Sequence, residues 1–229
     1  MDASVKLVKE DGHSKSVDAS RYQSMVGSLI YAAIATRPDI TQAVTTLAKF
    51  NTAPNEAHLT AVKRIFRYLK GTCKLSLQYQ KISIDLEGYS DADWASDTDD
   101  RRSTSGNVFI ISGGAISWAS KKQPTVALST SESEYIALCY ATQELVWLRQ
   151  LMKDLQIDCT AATTIHEDNL GTIAISKNPV LHKRTKHIDI KHHFVREKYC
   201  PTKEMKADIF TKPLPREQFE YLRCKRGLV

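Results

Sequence analysis

Several absences narrow the reading of this chain before any motif is considered. No apolar run approaches the roughly 20 residues a membrane-crossing helix needs. The N-terminus has no hydrophobic region of signal-peptide type. The five cysteines, Cys73, Cys139, Cys159, Cys200 and Cys224, are odd in number and contain no Cys-x-x-Cys pair, which argues against a disulfide frame or zinc knuckle and for reduced thiols. An intracellular, soluble chain without a membrane partner is expected, cytoplasmic with access to the nucleus. What is present is ordinary for a globular protein: 42% hydrophobic residues in 229, enough for one large domain or two small ones. The formal charge of +6 is unevenly spread. Residues 177–229 hold 14 Lys and Arg against 6 Asp and Glu, or +8, leaving −2 for the remainder. A basic tail beside a neutral body suits a polyanion partner, although a merely solvated surface has the same composition.

The chain divides into four stretches. Residues 1–19 are a polar leader with a turn at Asp11-Gly12. Residues 20–74 read as three helices. Ser20 caps the first, whose apolar face is Tyr22, Met25, Val26, Leu29 and Ile30. Pro38 separates it from a second (Ile40, Ala43, Val44, Leu47, Ala48), and Pro54 opens a third that runs to Gly71 as its C′ residue. Residues 82–215 form the second unit, and 216–229 a basic C-terminal tail.

Within 82–215 the hydrophobic period alternates between 2 and 3.6. Ile82, Ile84 and Leu86 predict a first strand that delivers the acids of Gly88–Trp94 at or near its end. Val108–Ser112 and Ala115–Ala119 are the second and third strands, reversed at Gly113-Gly114, and Lys121-Lys122-Gln123-Pro124 is a loop. A long helix then runs to about Leu155, with Leu138, Ala141, Leu145, Leu148 and Met152 on its buried face. Glu134 lies on that face one turn earlier, where an acid needs a cation or a proton, while Glu132 is displaced and suits the cap. Thr163–Asp168 is a fourth strand ending in an acid, followed by a helix over Gly171–Ser176. Tyr199-Cys200-Pro201 is a short last strand, and Glu204–Thr211 a final helix carrying Asp208, stopped by Pro213 and Pro215. The order predicts an α/β fold: three antiparallel strands extended by parallel ones, flanked by helices and preceded by a small helical unit.

Asp91, Glu134, Asp168 and Asp208 thus sit on four separate elements, the arrangement a hard, oxygen-seeking ion such as Mg²⁺ requires. A pair of such ions suits phosphodiester cleavage. On pattern alone each acid is as readily a turn former or cap, and Asp93 rivals Asp91.

Seven words occur in order along most of the chain: Gly-Tyr-Ser-Asp-Ala-Asp-Trp-Ala (88–95), Asp-Arg-Arg-Ser-Thr-Ser-Gly (100–106), Ile-Ser-Trp-Ala-Ser-Lys-Lys-Gln (116–123), Ala-Leu-Ser-Thr-Ser-Glu-Ser-Glu-Tyr (127–135), Glu-Asp-Asn (167–169), Arg-Thr-Lys-His-Ile-Asp-Ile (184–190) and Ala-Asp-Ile-Phe-Thr-Lys-Pro-Leu (207–214). As an ordered set they resemble the ribonuclease H domain of copia-type (Ty1/copia) retrotransposon Pol polyproteins. The helices of 20–74 resemble the reverse-transcriptase segment that follows its catalytic palm. The Tyr-x-Asp-Asp signature of that palm is absent, since Asp97-Thr98-Asp99-Asp100 lacks the tyrosine, so no DNA polymerisation is expected.

The resemblance implies a ribonuclease H-like fold and an endonuclease that cuts the RNA strand of RNA/DNA hybrids with two Mg²⁺ ions, Mn²⁺ substituting. Asp91 and Asp168 would bind the metals most directly, Glu134 would hold one and help position the phosphate, and Asp208 would assist the attacking water and product release. The rest of a Pol polyprotein is an implied partner. Lys121 and Lys122 are either phosphate contacts or solvated loop lysines. The dense segment His182–Lys198, with Lys183, Arg184, Lys186 and Lys191, is read as phosphate-positioning. Its four histidines (182, 187, 192, 193) fit no common zinc spacing. One departure stands out. Related chains place a turn and a strand, about ten residues, between the His-rich helix and the Cys-Pro-Thr word, whereas Phe194–Pro201 runs straight through. Either Phe194–Cys200 becomes the fifth strand, or that strand is lost and Asp208 is misplaced. Asp208 is therefore expected to be the least well-placed of the four acids and cleavage to be weak or absent, with a nucleic-acid-binding relic as the alternative to a nuclease.

Overall fold

A computed structural model describes residues 7–9, 15–80, 84–157, 161–177 and 195–229. Three helices open the described chain: α1 (Ala19–Ala35), α2 (Thr41–Ala48, after a 3₁₀ turn at Pro38–Ile40) and α3 (Glu56–Gly71). The cap of α1 is Asp18, not Ser20. Its carboxylate accepts from the N–H groups of Ser20 and Arg21, and its charge also complements the positive end of the helix dipole. α3 carries a capping box in which Asn55 and His58 satisfy each other's backbone N–H, and Thr72, not Gly71, follows it as C-cap. Tyr22, Val26, Leu29, Val44, Leu47 and Val62 are buried together where the three helices meet. Part of the leader packs here too, for Leu7 touches this cluster and Ser16 bridges to Asn55.

The second unit is one five-stranded sheet: β1 (Glu87–Asp93), β2 (Thr104–Ile111), β3 (Gly114–Lys122), β4 (Thr163–Glu167) and β5 (Val195–Tyr199). The spatial order is β3-β2-β1-β4-β5, with β1, β2 and β3 antiparallel and β4 and β5 added in parallel. This is the mixed sheet, three antiparallel strands extended by parallel ones and flanked by helices, that the element order predicts. α4 (Thr130–Asp154) covers one face with the predicted line Leu138, Ala141, Leu145, Leu148 and Met152 against Phe109 and Ile165. α5 (Leu170–Lys177) follows β4, and α6 (Arg216–Cys224) closes the chain.

Several boundaries differ from the sequence-based expectation. β1 begins at Glu87, beyond the alternating residues, and Ile84 is exposed. As the central strand, β1 is covered on both faces, so Gly88 to Ala92 are all buried and its pattern is continuous. The hairpin turns on Ser112 and Gly113, both with positive φ (53° and 80°), one residue before the expected Gly-Gly pair. Two left-handed residues match the twist of the flanking strands. β3 extends to Lys122, so Lys121 and Lys122 are strand residues rather than loop residues.

The fifth strand is Val195–Tyr199, within the Phe194–Cys200 alternative and upstream of the expected Tyr199-Cys200-Pro201 strand. The expected helix Glu204–Thr211 is replaced by two 3₁₀ turns, Thr202–Glu204 and Asp208–Phe210. Met205, Ala207, Ile209 and Phe210 are all buried, a spacing no single face of an α-helix supplies. Residues 216–229 hold α6, opened by Pro215 as its cap, and Leu228 then bridges to Leu77.

The helical unit is seated on the sheet unit. Trp118 of β3 donates to the Ala33 carbonyl (2.8 Å), Lys49 pairs with Asp97 (3.0 Å), and Arg223 of α6 donates to the Tyr68 hydroxyl (3.1 Å).

Candidate metal centre

Period-2 alternation assigns the acids to two faces of the sheet at one edge. Asp91 follows Tyr89 on the face turned to the C-terminal segment. Its register partner is Gly106, where an added Cβ would lie 2.7 Å from Thr211 and 2.8 Å from Phe210. The missing side chain at 106 therefore lets the 3₁₀ turn that carries Asp208 close over Asp91. Glu134 comes from the first turns of α4 on the other face, and Asp168 follows the last residue of β4.

These placements bring the four predicted acids together. One carboxylate oxygen each from Asp91, Asp168 and Asp208 lies within 4.8 Å of the others, and the same holds for Glu134, Glu167 and Asp168. Asp168 belongs to both groups, and Asp93 to neither among the described residues. Asp91, Glu134, Glu167 and Asp208 are buried, while Asp168 is partly open to solvent.

Each acid is positioned by neighbours. The Thr211 hydroxyl donates to Asp91 Oδ2. The Lys212 ammonium lies 2.9 Å from Asp208 Oδ1. Thr202 donates to Asp168 Oδ2 (2.7 Å), and the Asn169 N–H to Glu167 Oε1 (3.2 Å). Glu134 Oε2 and Glu167 Oε2 are buried without a hydrogen-bond partner.

The electrostatics follow from crowding acids where water is scarce. Burial, only partly offset by Lys212, raises Asp91 to about 7, with Asp208 and Asp168 adding to the rise. Burial and then Asp91, Glu167 and Asp168 raise Glu134 to about 11. Burial pushes Glu167 well above the carboxylate range, and it raises Asp208 against the pull of Lys212. Burial works against the Lys212 ammonium, yet Asp91 and Asp208 hold it above its ordinary value. Carboxylates that resist ionisation until a cation arrives characterise an oxygen-ligand metal site, and perturbed acids concentrate at such sites.

Glu167, Thr211 and Lys212 were not singled out from sequence. The alternation Thr163, Ile165, Glu167, all buried, was the available signal for the first of them. Among the expected phosphate contacts, Lys121 is exposed and its ammonium lies 5.0 Å over the Tyr140 ring. Lys122 bridges Asp97 (2.6 Å) and Asp100 (2.7 Å). Lys183, Arg184, Lys186 and Lys191 lie outside the described residues.

No protein-family model matches the chain. It is 42% identical over 227 residues to the retrovirus-related Pol polyprotein from transposon TNT 1-94 of Nicotiana tabacum, covering 95% of this chain and 17% of that polyprotein. It is 40% identical over 225 residues to the Pol polyprotein from transposon RE1 of Arabidopsis thaliana, covering 94% and 15%. Among solved structures it is similar to the N-terminal RNase H domain of a Mycobacterium tuberculosis protein, fused to maltose-binding protein, with 11% identity and a TM-score of 0.39 over 62% of this chain and 98% of that one. The chain spans about one-sixth of the length of these polyprotein relatives. It belongs to the copia-type retrotransposon Pol family.

Proposed function

We propose that this region is a divalent-cation-dependent endonuclease that cuts the RNA strand of RNA/DNA hybrids, with Mg²⁺ as its ion and Mn²⁺ accepted in its place. The observation that carries this reading is the pair of acid groups sharing Asp168 at one sheet edge. The donor set fits such an ion. It is all oxygen, it contains buried carboxylate oxygens with no protein partner, and one member opens to solvent.

Asp91, Glu134, Asp168 and Asp208 would hold the ions. When bound, a pair of them supplies charge stabilisation to the entering and leaving oxygens of an in-line displacement. The chain's own contribution is positioning. Thr211 fixes the Asp91 carboxylate, Thr202 fixes Asp168, and the Lys212 ammonium holds Asp208 and pulls against the rise that burial imposes on it. Lys121 at the end of β3 and the basic segment around Lys183, Arg184, Lys186 and Lys191 would take phosphates. The ribose 2′-OH would mark the strand to be cut. The remainder of a Pol polyprotein is the proposed protein partner, and the cytoplasm with nuclear access the proposed location.

The test is a labelled RNA/DNA hybrid with Mg²⁺. The RNA strand should be cut to leave 3′-hydroxyl and 5′-phosphate ends, and Asp91→Asn should slow cleavage by on the order of 10²–10³-fold or more. Cutting that persists in chelator or in Asp91→Asn would refute the reading. Salt-sensitive binding without any cutting would instead establish the relic.

A further inference from the structure

Glu167 is the last residue of β4, and its carbonyl accepts the Cys200 N–H (2.9 Å), which ties it to the end of β5. Its side chain is fully buried. Oε1 is taken by the Asn169 N–H, whereas Oε2 has no partner. Across from it, Glu134 Oε2 is likewise buried and unpartnered, with Asp168 completing a group whose ligand oxygens lie within 4.8 Å of one another.

The two acid groups differ in their counter-charge. Lys212 serves the Asp91–Asp208 side at 2.9 Å. Among the described residues no lysine or arginine forms an ion pair with Glu134 or Glu167. Unpaired buried carboxylates demand either a proton or a cation, and these two converge on Asp168, the one member reachable from solvent.

We propose that Glu167 is itself a cation ligand, so that Glu134, Glu167 and Asp168 form a cradle and the centre contains five carboxylates, not four. The inference rests on the metal-dependent reading above. With no ammonium of its own, this cradle is the tighter of the two for a divalent ion in the absence of nucleic acid. Its chemistry is that of a hard-cation site: three carboxylates, one of them already oriented by a backbone N–H.

Titrating the nucleic-acid-free protein with Mn²⁺, followed by calorimetry and by loss of the free-ion EPR signal, tests the assignment. Glu167→Gln should weaken the tightest ion at least tenfold, and Asp208→Asn should weaken it far less. The metal-free melting temperature of Glu167→Gln should match or exceed that of the parent, because the amide removes a buried acid without changing its shape. A Glu167→Gln isotherm that superimposes on the parent's would overturn the proposal and leave Glu167 as a buried protonated acid.

Should that variant not fold, Glu167→Cys exchanges a hard ligand for a soft one. The preference for Cd²⁺ over Mn²⁺ should then rise at least tenfold, and an unchanged ratio would overturn the proposal. The two readings fail separately. A protein that binds Mn²⁺ through Glu167 but leaves hybrids uncut would sink the nuclease alone. One that cuts hybrids while Glu167→Gln titrates normally would sink the cradle alone.

Discussion

Asp39 in the helical unit and Asp91 in the sheet are equally hidden from water, yet their surroundings are opposite. Asp39 is paired on both oxygens: Arg37 reaches them at 2.9 and 2.7 Å, and the Tyr68 hydroxyl adds a bond of 2.6 Å. Asp91 shares its corner with Asp168 and Asp208, and Lys212 is the ammonium that offsets its charge. The first is a closed structural knot that joins α3 to the turn after α1. The second, on the function proposed above, is an acid held in place for a cation the polypeptide does not itself supply. Buried charge alone does not distinguish structure from function; whether the partners balance it does.

Asparagine substitutions should separate the two sites most sharply. Asp39→Asn leaves the buried Arg37 uncompensated, and breaking such a pair costs about 3–5 kcal/mol. Asp91→Asn removes one of several crowded acids, so the metal-free protein should be as stable as the parent or more so. Denaturant unfolding of both variants in chelator measures this. A comparable loss for Asp91→Asn would end the contrast.

The pH dependence follows from the same crowding. Burial raises Asp91 from 3.8 to about 7, so between those values the folded state holds a proton that the unfolded chain has released. The associated stability is fully present below about pH 4 and is lost as pH rises through 7. Glu134, raised to about 11, extends the loss to higher pH. In chelator the melting temperature should therefore fall between pH 5 and pH 8, and Mg²⁺ should restore it at pH 8, where the cation replaces the protons. A chelated protein that gains stability over that range would contradict the assignment.

What sequence alone revealed follows physical lines. α4 was legible because its apolar line is long and purely 3.6-periodic, and Glu134 followed from its place on that line. β1 was mis-started because a strand buried on both faces loses the alternation by which strands are recognised. Pro215 looks like a stop in the sequence, although a proline at a helix entrance costs little, and this hides α6 in an apparent tail. Glu167 was hidden by its neighbour. Asp168, just beyond the strand, offers the more obvious ligand, although the alternation with Ile165 places Glu167 on a buried face. Lys212 stands four residues after Asp208, an ordinary ion-pair spacing, but it lies one residue beyond the expected helix end at Thr211.

On the proposed function, the contrast also sets charge that is balanced internally against charge available to a polyanion. Residues 177–229 carry +8, and neutralised phosphates release counterions, so hybrid binding should weaken steeply with salt. Replacing Lys183, Arg184 and Lys186 together with alanine should flatten the log–log salt slope by about 2–3 if each takes one phosphate. An unchanged slope would make the segment a bystander.

The smallest effect is expected at Asp97, where the two kinds of charge meet. Its carboxylate lies 3.0 Å from Lys49 of α2 and 2.6 Å from Lys122 of β3, and so pins the helical unit to the sheet. Burial would raise Asp97, but the bonds from Lys122 and Lys49 outweigh it and hold the acid below its ordinary range. Both lysines are about a quarter exposed, so water screens the pairs and limits their worth. Asp97→Asn should therefore cost only about 1 kcal/mol of stability. Its informative readout is the salt dependence of hybrid binding. Asp100 still holds Lys122 at 2.7 Å, so Lys49 is the charge set free. The slope should steepen by about one if that lysine then turns to a phosphate, and by about one more when Asp100→Asn is added and Lys122 is released as well. If both variants lose stability while the slope stays put, Lys122 is a strut between the two units and no part of the nucleic-acid surface.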